Sequence, residues 1–252
     1  MPHDELRTLG PYNIPGIGHR RVRVFLPPGP RESSPPVLYM FDGQNVFDDA
    51  PSFAGGWHLH EAVRAISPRR HQRPVVVALE HGGVARIDEL SPWPWGQGQG
   101  RADALLAWMT GDLVPRLGAE LGLATVPHRV YVGGSSMGGL CALYAHFRHP
   151  ATFGGALAMS PSLWFAGQRI FEFVASQSRP WTSRIYLDAG AHEANGRMLR
   201  LTERMARDLQ GRGYEQDTLR FRADPKGKHQ EADWRRRAPA ALRFFFATAR
   251  LR

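Results

Sequence analysis

The segment G-G-S-S-M-G-G around Ser136 has the residue types and the spacing of a nucleophilic serine held in a sharp turn. Glycines stand two positions before and two positions after Ser136, where a Cβ atom would clash with neighbouring backbone. Ser135 does not fit, because the same pattern centred on it would place Met137 where the second glycine belongs. A β-branched and aromatic run at residues 129–132 precedes the turn, and a helical pattern follows at residues 140–149. This context predicts that Ser136 projects from a strand end towards a helix N-terminus, where developing negative charge is stabilised.

A serine nucleophile needs a base, and the loops after downstream strands are the places where a base is expected. The loop after the last predicted strand contains His229. We predict that His229 takes the serine proton and returns it to the leaving group. The chain has eleven histidines, so a single one indicates little. His146 and His149 fall on the helix after the turn and are interpreted as packing or surface residues, and His192 is a weaker competitor.

Two carboxylates follow a predicted strand at residues 184–187 and are candidates for the acid that orients the base. Glu193 lies farther along the loop, from where a carboxylate can reach a histidine, and it is the preferred acid. Asp188 is nearer to the strand and can instead fix the turn through its own backbone, so it is the alternative acid. Asp224, after the next strand, is the third choice.

Two backbone N–H groups are expected to stabilise the oxyanion. One should come from Met137, the residue after the serine. The other should come from Gln44, in the loop after a continuous apolar run at residues 37–41, although this loop can also be read as a simple turn. A further loop at residues 81–100 carries Trp93 and Trp95, whose rings either line a substrate pocket or pack the loop against the protein.

Strands and helices alternate along the whole chain and must position these groups. Strands are predicted at residues 21–26, 37–41, 75–79, 129–132, 156–159, 184–187 and 218–222. Helices are predicted at residues 57–66, 103–121 with a kink at Pro115, 140–149 and 169–175, after a cap at Asn195, and from Pro239 onwards. The alternation predicts an α/β fold with a mostly parallel central sheet and helices on both faces. With no internal repeat, the 252 residues predict a single domain spanning residues 1–252.

Composition limits the functions to be considered. The formal net charge of +9 comes mostly from scattered arginines without a nucleic-acid-binding motif, which favours a solvated basic surface and no nucleic-acid partner. Cys141 is the only cysteine, so no intrachain disulfide can form. No signal peptide and no apolar run of about 18 residues is visible. We therefore expect a cytoplasmic protein without membrane association.

Several of these segments together resemble the esterase family of α/β-hydrolases that includes enterochelin, feruloyl and acetylxylan esterases and S-formylglutathione hydrolases. The shared features are D-G-Q-N at residues 42–45, Trp57, the serine turn, G-x-x-E at residues 190–193, and His229 with Trp234. The resemblance covers nearly the whole chain from Arg21. It implies an α/β-hydrolase fold, Ser136 as nucleophile, His229 as base and Glu193 as acid. It also implies Gln44 and Met137 as oxyanion donors.

The resemblance also implies a structural brace in the segment R-I-D-E, residues 86–89. The chain lacks the extra N-terminal domain of classical enterochelin esterases, which weakens a siderophore assignment. It also lacks a secretion signal, which weakens a polysaccharide esterase assignment.

The leading functional prediction is a serine hydrolase that cleaves carboxylic esters of small to medium-sized substrates through an acyl-enzyme intermediate. An acyltransferase with the same catalytic residues, or a non-catalytic binding protein with this fold, are the alternatives. A metal site is not expected, because the dense cluster of His58, His60 and Glu61 has the wrong spacing on a helix. No cofactor is expected. The acyl and alcohol specificity and the oligomeric state are left open.

Overall fold

Eight strands form one sheet in the computed structural model, which describes residues 5–27, 34–52, 54–66 and 72–246. The central strands are continuous runs of buried apolar residues, as strands covered on both faces require. The strands are β1 (Glu5–Ile14), β2 (Gly18–Leu26), β3 (Val37–Met40), β4 (Val75–Leu79), β5 (Val130–Ser135), β6 (Gly155–Met159), β7 (Arg184–Gly190) and β8 (Leu219–Asp224).

The strand order is β1-β2-β4-β3-β5-β6-β7-β8. Strand β1 pairs antiparallel with β2, and β2 pairs antiparallel with β4. The six remaining strands are parallel to one another: β4, β3, β5, β6, β7 and β8. The chain order reverses between β3 and β5, so a crevice opens at their carboxyl ends, where ligands bind in sheets of this kind. The α/β prediction with a mostly parallel sheet is confirmed.

Helices cover both faces of the sheet. They are α1 (Leu59–Arg64), α2 (Arg86–Leu90), α3 (Ala102–Trp108), α4 (Val114–Leu121), α5 (Met137–Arg148), α6 (Arg169–Ser176), α7 (Arg197–Gln210) and α8 (Glu231–Phe246). Alternate side chains of a strand face opposite cores: Val37 and Tyr39 of β3 pack with α2 to α7, and Leu38 and Met40 pack with α1 and α8. None of the helices in the described ranges is long and apolar enough to cross a membrane.

The central strands lie where the sequence predicts them, and the differences are at the edges. The sequence does not predict β1, because Gly10 and Pro11 interrupt the alternation of polar and apolar residues in this segment. The pairing of β1 with β2 shifts register at the same place. The predicted loop at residues 81–100 contains α2. The predicted helix at residues 103–121 is present as α3 and α4, and a π-helical turn precedes Pro115, which has no N–H to donate.

Two predicted helix starts differ from the observed ones. Helix α8 begins at Glu231, well before Pro239, which lies inside it. Its first turn is acidic, which favours a helix N-terminus. Helix α7 begins at Arg197 with Gly196 as its N-cap, one residue after the predicted cap Asn195, which has a positive φ. A single domain spanning residues 1–252 stays a prediction.

Candidate active site

The turn between β5 and α5 holds Ser136 in a strained conformation, with φ 56° and ψ −119°. A Cβ atom on Gly134 would lie 2.7 Å from the carbonyl carbon of Gly138, so the strand and the helix can meet this closely only without it. The predicted reason for the glycine spacing is therefore present in the structure. The turn leaves the Ser136 side chain at the carboxyl end of the sheet, beside the crevice at the switch point.

Three side chains from separate loops form a continuous chain of contacts. Ser136 Oγ lies 3.0 Å from His229 Nε2, and His229 Nδ1 lies 2.9 Å from Glu193 Oε2. With Nδ1–H donated to the carboxylate, Nε2 is the ring nitrogen that can accept the serine proton. Ser136 Oγ also lies 3.2 Å from Ser162 Oγ, in the segment after β6. The structure thus brings together the three residues that the sequence predicts as nucleophile, base and acid.

Glu193 is almost fully buried, at 1% exposure, and its second carboxylate oxygen is surrounded by donors. Oε1 accepts hydrogen bonds from the Ser160 hydroxyl at 2.7 Å and the Gly190 N–H at 2.8 Å, with Arg237 Nη2 at 3.3 Å. Burial alone would raise the pKa of this carboxyl, but the hydrogen bonds, led by that from His229, hold the pKa below its usual value. The acid is therefore ionised and fixed in orientation.

Asp188, the alternative acid, has a different environment. It is fully buried at the end of β7 and faces Arg237 Nη1 at 3.1 Å. Burial raises the pKa of Asp188 to about 7, although the charge of Arg237 opposes this. The contact to His229 is made by Glu193. Asp224, the third choice, pairs with Arg236 at 2.5 Å. The geometry favours Glu193.

Ser160 connects these groups and is a residue that the sequence reasoning missed. Its hydroxyl donates to Glu193 and accepts from the Trp234 indole N–H at 3.0 Å and from Arg237 Nη2 at 2.9 Å. The edge of the His229 ring packs against Trp234, with ring centroids 5.0 Å apart. Helix α8 therefore contacts both Glu193, through Arg237, and His229, through Trp234. The available signal was the position of Ser160 directly after β6, at the end of the sheet where sites form.

The loop after β3 carries Gln44 and lies against the start of α5, where a Cβ atom on Gly138 would be 3.0 Å from Asp42 Oδ2. Asp42 has a positive φ of 59° and is held by Arg86, whose Nε and Nη2 lie 2.6 and 2.8 Å from its two carboxylate oxygens. The Gln44 side chain bridges to the backbone of His81, with its Oε1 accepting from the N–H at 3.2 Å. Across the described ranges, neither the Gln44 N–H nor the Met137 N–H has an acceptor in the protein. Both groups are therefore available to a ligand.

A pocket with a volume of about 420 Å³ opens beside the serine. Its lining residues are Ser136, Ser162, Trp164, Ala194, Arg197, Met198 and His229. Neither tryptophan of the residue 81–100 loop lines this pocket. The volume is within the range of about 300–1,000 Å³ that is usual for small-molecule sites.

Trp93 and Trp95 lie at a neighbouring cavity of about 170 Å³. The Trp93 ring packs 5.8 Å from Tyr144 and 6.4 Å from Phe173. Trp95 is 54% exposed and lies 5.4 Å from Phe165, which follows the pocket residue Trp164. Trp95 is thus separated from the pocket beside Ser136 by Phe165 and Trp164, whereas Trp93 contacts residues of α5 and α6.

The central parallel sheet, the strained serine turn and the covering helices are those of an α/β-hydrolase. The model of the family described as "Putative esterase" matches residues 17–245, so the chain belongs to this family. Its class of activity is carboxylic ester hydrolysis.

Individual relatives are distant. The chain is 24% identical over 217 residues to the uncharacterized protein YbbA of Bacillus subtilis (strain 168), covering 80% of this chain and 82% of that protein. It is 27% identical over 180 residues to the iron(III) enterobactin esterase of Dickeya dadantii (strain 3937), covering 64% of this chain but only 37% of the relative. The solved structure of the BES protein from Bacillus cereus superposes with a TM-score of 0.77 at 19% identity, covering 97% and 95% of the two chains. At this identity the structural likeness shows the fold.

Proposed function

We propose that the protein is a serine hydrolase that cleaves carboxylic esters of small to medium-sized substrates through an acyl-enzyme intermediate. The observation that carries the proposal is the chain of contacts from Ser136 Oγ through His229 to Glu193, with distances of 3.0 and 2.9 Å. This order of nucleophile, base and buried carboxylate is the arrangement that activates a serine.

The proposed reaction has two steps. In acylation, His229 accepts the Ser136 proton while Oγ attacks the ester carbonyl, and the protonated ring then gives that proton to the departing alcohol oxygen. The oxyanion is stabilised by the N–H groups of Gln44 and Met137. In deacylation, His229 takes a proton from water as the water oxygen attacks the acyl carbon. It returns this proton to Ser136 Oγ as the acyl–Oγ bond breaks and the carboxylic acid product leaves. Glu193 stabilises the imidazolium in both steps and keeps its own charge.

The pocket volume of about 420 Å³ supports a small to medium-sized substrate. One relative is named an iron(III) enterobactin esterase, and the match covers 37% of it, so a siderophore ester is one substrate to include in a test. Short p-nitrophenyl esters, feruloyl esters and S-formylglutathione are the others. A cytoplasmic location and the absence of a nucleic-acid partner stay predictions from the sequence.

The test compares two neighbouring serines. Ser136→Ala should lower kcat for p-nitrophenyl acetate by about 10⁴-fold or more while the protein stays folded, since the nucleophile is removed. Ser135→Ala is the matched control, because Ser135 is the last residue of β5 and its side chain is not part of the contact chain. Retention of wild-type hydrolysis, or of labelling by a fluorophosphonate, in Ser136→Ala would contradict the proposal.

A further inference from the structure

One cation in the pocket has no role in the proposed mechanism. Arg197 lines the same pocket as Ser136 and His229, and it is exposed. Among the residues that the structure describes, no carboxylate forms an ion pair with its guanidinium. A guanidinium in this state keeps its donors free for an anionic group on a ligand.

The acids of the surrounding loops are already bound elsewhere. In the loop before α7, the carboxylate of Glu193 is used by His229, Ser160 and the backbone. At the end of β8, the Asp224 carboxylate is bound by Arg236. The loop between β8 and α8 exposes Lys226 and Lys228. Among the described residues that line the pocket, Arg197 is therefore the charged side chain besides His229, and no carboxylate is present in the lining.

The remaining walls are apolar. Trp164 offers a flat ring, and Met198 and Ala194 offer aliphatic surface. A ligand that contacts both the apolar residues and the guanidinium has a compact apolar body, such as an aromatic ring, and an anionic substituent. Because the leaving alcohol departs towards His229, and His229 lines the same pocket as Arg197, this part of the substrate is the alcohol half of the ester.

We propose that Arg197 makes this site selective for esters whose alcohol half carries a carboxylate on a compact apolar body. The inference rests on the proposed ester hydrolysis and names its substrate class. Arg197 binds the carboxylate through its guanidinium, while the apolar body lies against Trp164 and Met198. Its contribution is to specificity, since the chemical step needs only the groups around Ser136.

The experiment compares 4-acetoxybenzoate with its neutral methyl ester at the ring carboxyl. Wild-type protein should prefer the anionic substrate by about tenfold in kcat/KM, the usual effect of one hydrogen bond to a charged group. Arg197→Gln should abolish this preference by lowering kcat/KM for the anionic ester about tenfold relative to kcat/KM for the neutral ester. Arg200→Gln is the matched control: it removes the same charge from the same helix, is exposed and does not line the pocket. It should keep the preference.

A second measurement does not depend on turnover. In the Ser136→Ala background, calorimetry should show that Arg197→Gln weakens binding of 4-acetoxybenzoate by about tenfold and that Arg200→Gln does not. Equal preference and equal affinity with and without Arg197 would overturn the inference. So would a preference for anionic substrates confined to the acyl half, measured with p-nitrophenyl hemisuccinate against p-nitrophenyl butyrate. Wild-type hydrolysis of the neutral ester reports separately on the proposed function.

Discussion

Two carboxylates at the end of β7 show how surroundings decide which one can orient a histidine. Burial raises the pKa of Asp188 to about 7, although the charge of Arg237 opposes the shift, so the charged form of Asp188 is held less firmly than that of Glu193. The pKa of Glu193 is held low, despite burial, by the donors around it. Only a carboxylate that stays charged can stabilise the imidazolium formed during catalysis.

We expect Glu193→Gln to lower kcat by about 10³–10⁴-fold, because the amide cannot compensate the charge of His229 and favours the wrong tautomer. Asp188→Asn should lower kcat by less than about tenfold, since Asp188 does not contact the base. Both variants preserve side-chain volume. The measurement is steady-state hydrolysis of p-nitrophenyl acetate by proteins with native circular dichroism. The reverse ranking would assign the acid role to Asp188, and small equal losses would indicate a Ser–His dyad.

At the scale of elements, the segment between β4 and α3 carries two tryptophans with different environments. Trp93 packs between Tyr144 of α5 and Phe173 of α6, so it joins the segment to two helices. Trp95 is half-exposed beside Phe165. The sequence-based prediction that both tryptophans hold the substrate stays a prediction, and the two positions allow it to be tested separately from packing.

From these contacts we expect Trp93→Ala to lower the free energy of unfolding by about 2–3 kcal/mol, somewhat less than for a fully buried aromatic residue. Trp95→Ala should change the unfolding free energy little. Thermal unfolding of both variants is measured together with kcat/KM across acetyl, butyryl and feruloyl esters. If the rings only pack, the relative rates stay equal to those of wild type. A selective loss on the longer or aromatic esters in Trp95→Ala would support a substrate contact.

At the scale of the whole molecule, a buried histidine links stability to pH. His146 of α5 is fully buried, with Nδ1 2.8 Å from the Phe153 carbonyl and Nε2 2.6 Å from Ser183 Oγ. Burial lowers the pKa of His146 to about 4, although the Phe153 carbonyl opposes the shift. In the unfolded chain the ring titrates near pH 6.5. Stability from burying the neutral ring is therefore complete above about pH 6.5 and is lost as the pH falls towards about 4.

We expect this group to contribute a loss of about 3 kcal/mol in unfolding free energy between about pH 6.5 and about pH 4. His146→Gln should be less stable near neutral pH and should show a flatter dependence in urea unfolding over this range. His19→Gln is the control, because His19 is exposed in β2, and it should keep the wild-type dependence. An unchanged slope in His146→Gln would show that other groups cause the acid sensitivity.

The sequence could predict features whose signals are local. The central strands are continuous apolar runs, and the serine turn has its glycines within five residues. Both features can therefore be predicted from the sequence without a structure. The start of α8 is predicted at Pro239 because proline suits the first turn of a helix, but the helix begins at Glu231, where an acidic first turn favours its N-terminus. The link from Arg237 to Ser160 could not be predicted, because these residues are 77 positions apart and meet only when α8 packs on the sheet.

The single hydroxyl of Ser160 has a consequence for the proposed activity of the whole molecule. It joins Glu193 to Trp234 and Arg237, so the acid is held in place only when α8 is docked. In the proposed mechanism, hydrolysis therefore requires that α8 is packed on the sheet, because Trp234 and Arg237 hold the Ser160 hydroxyl that contacts Glu193.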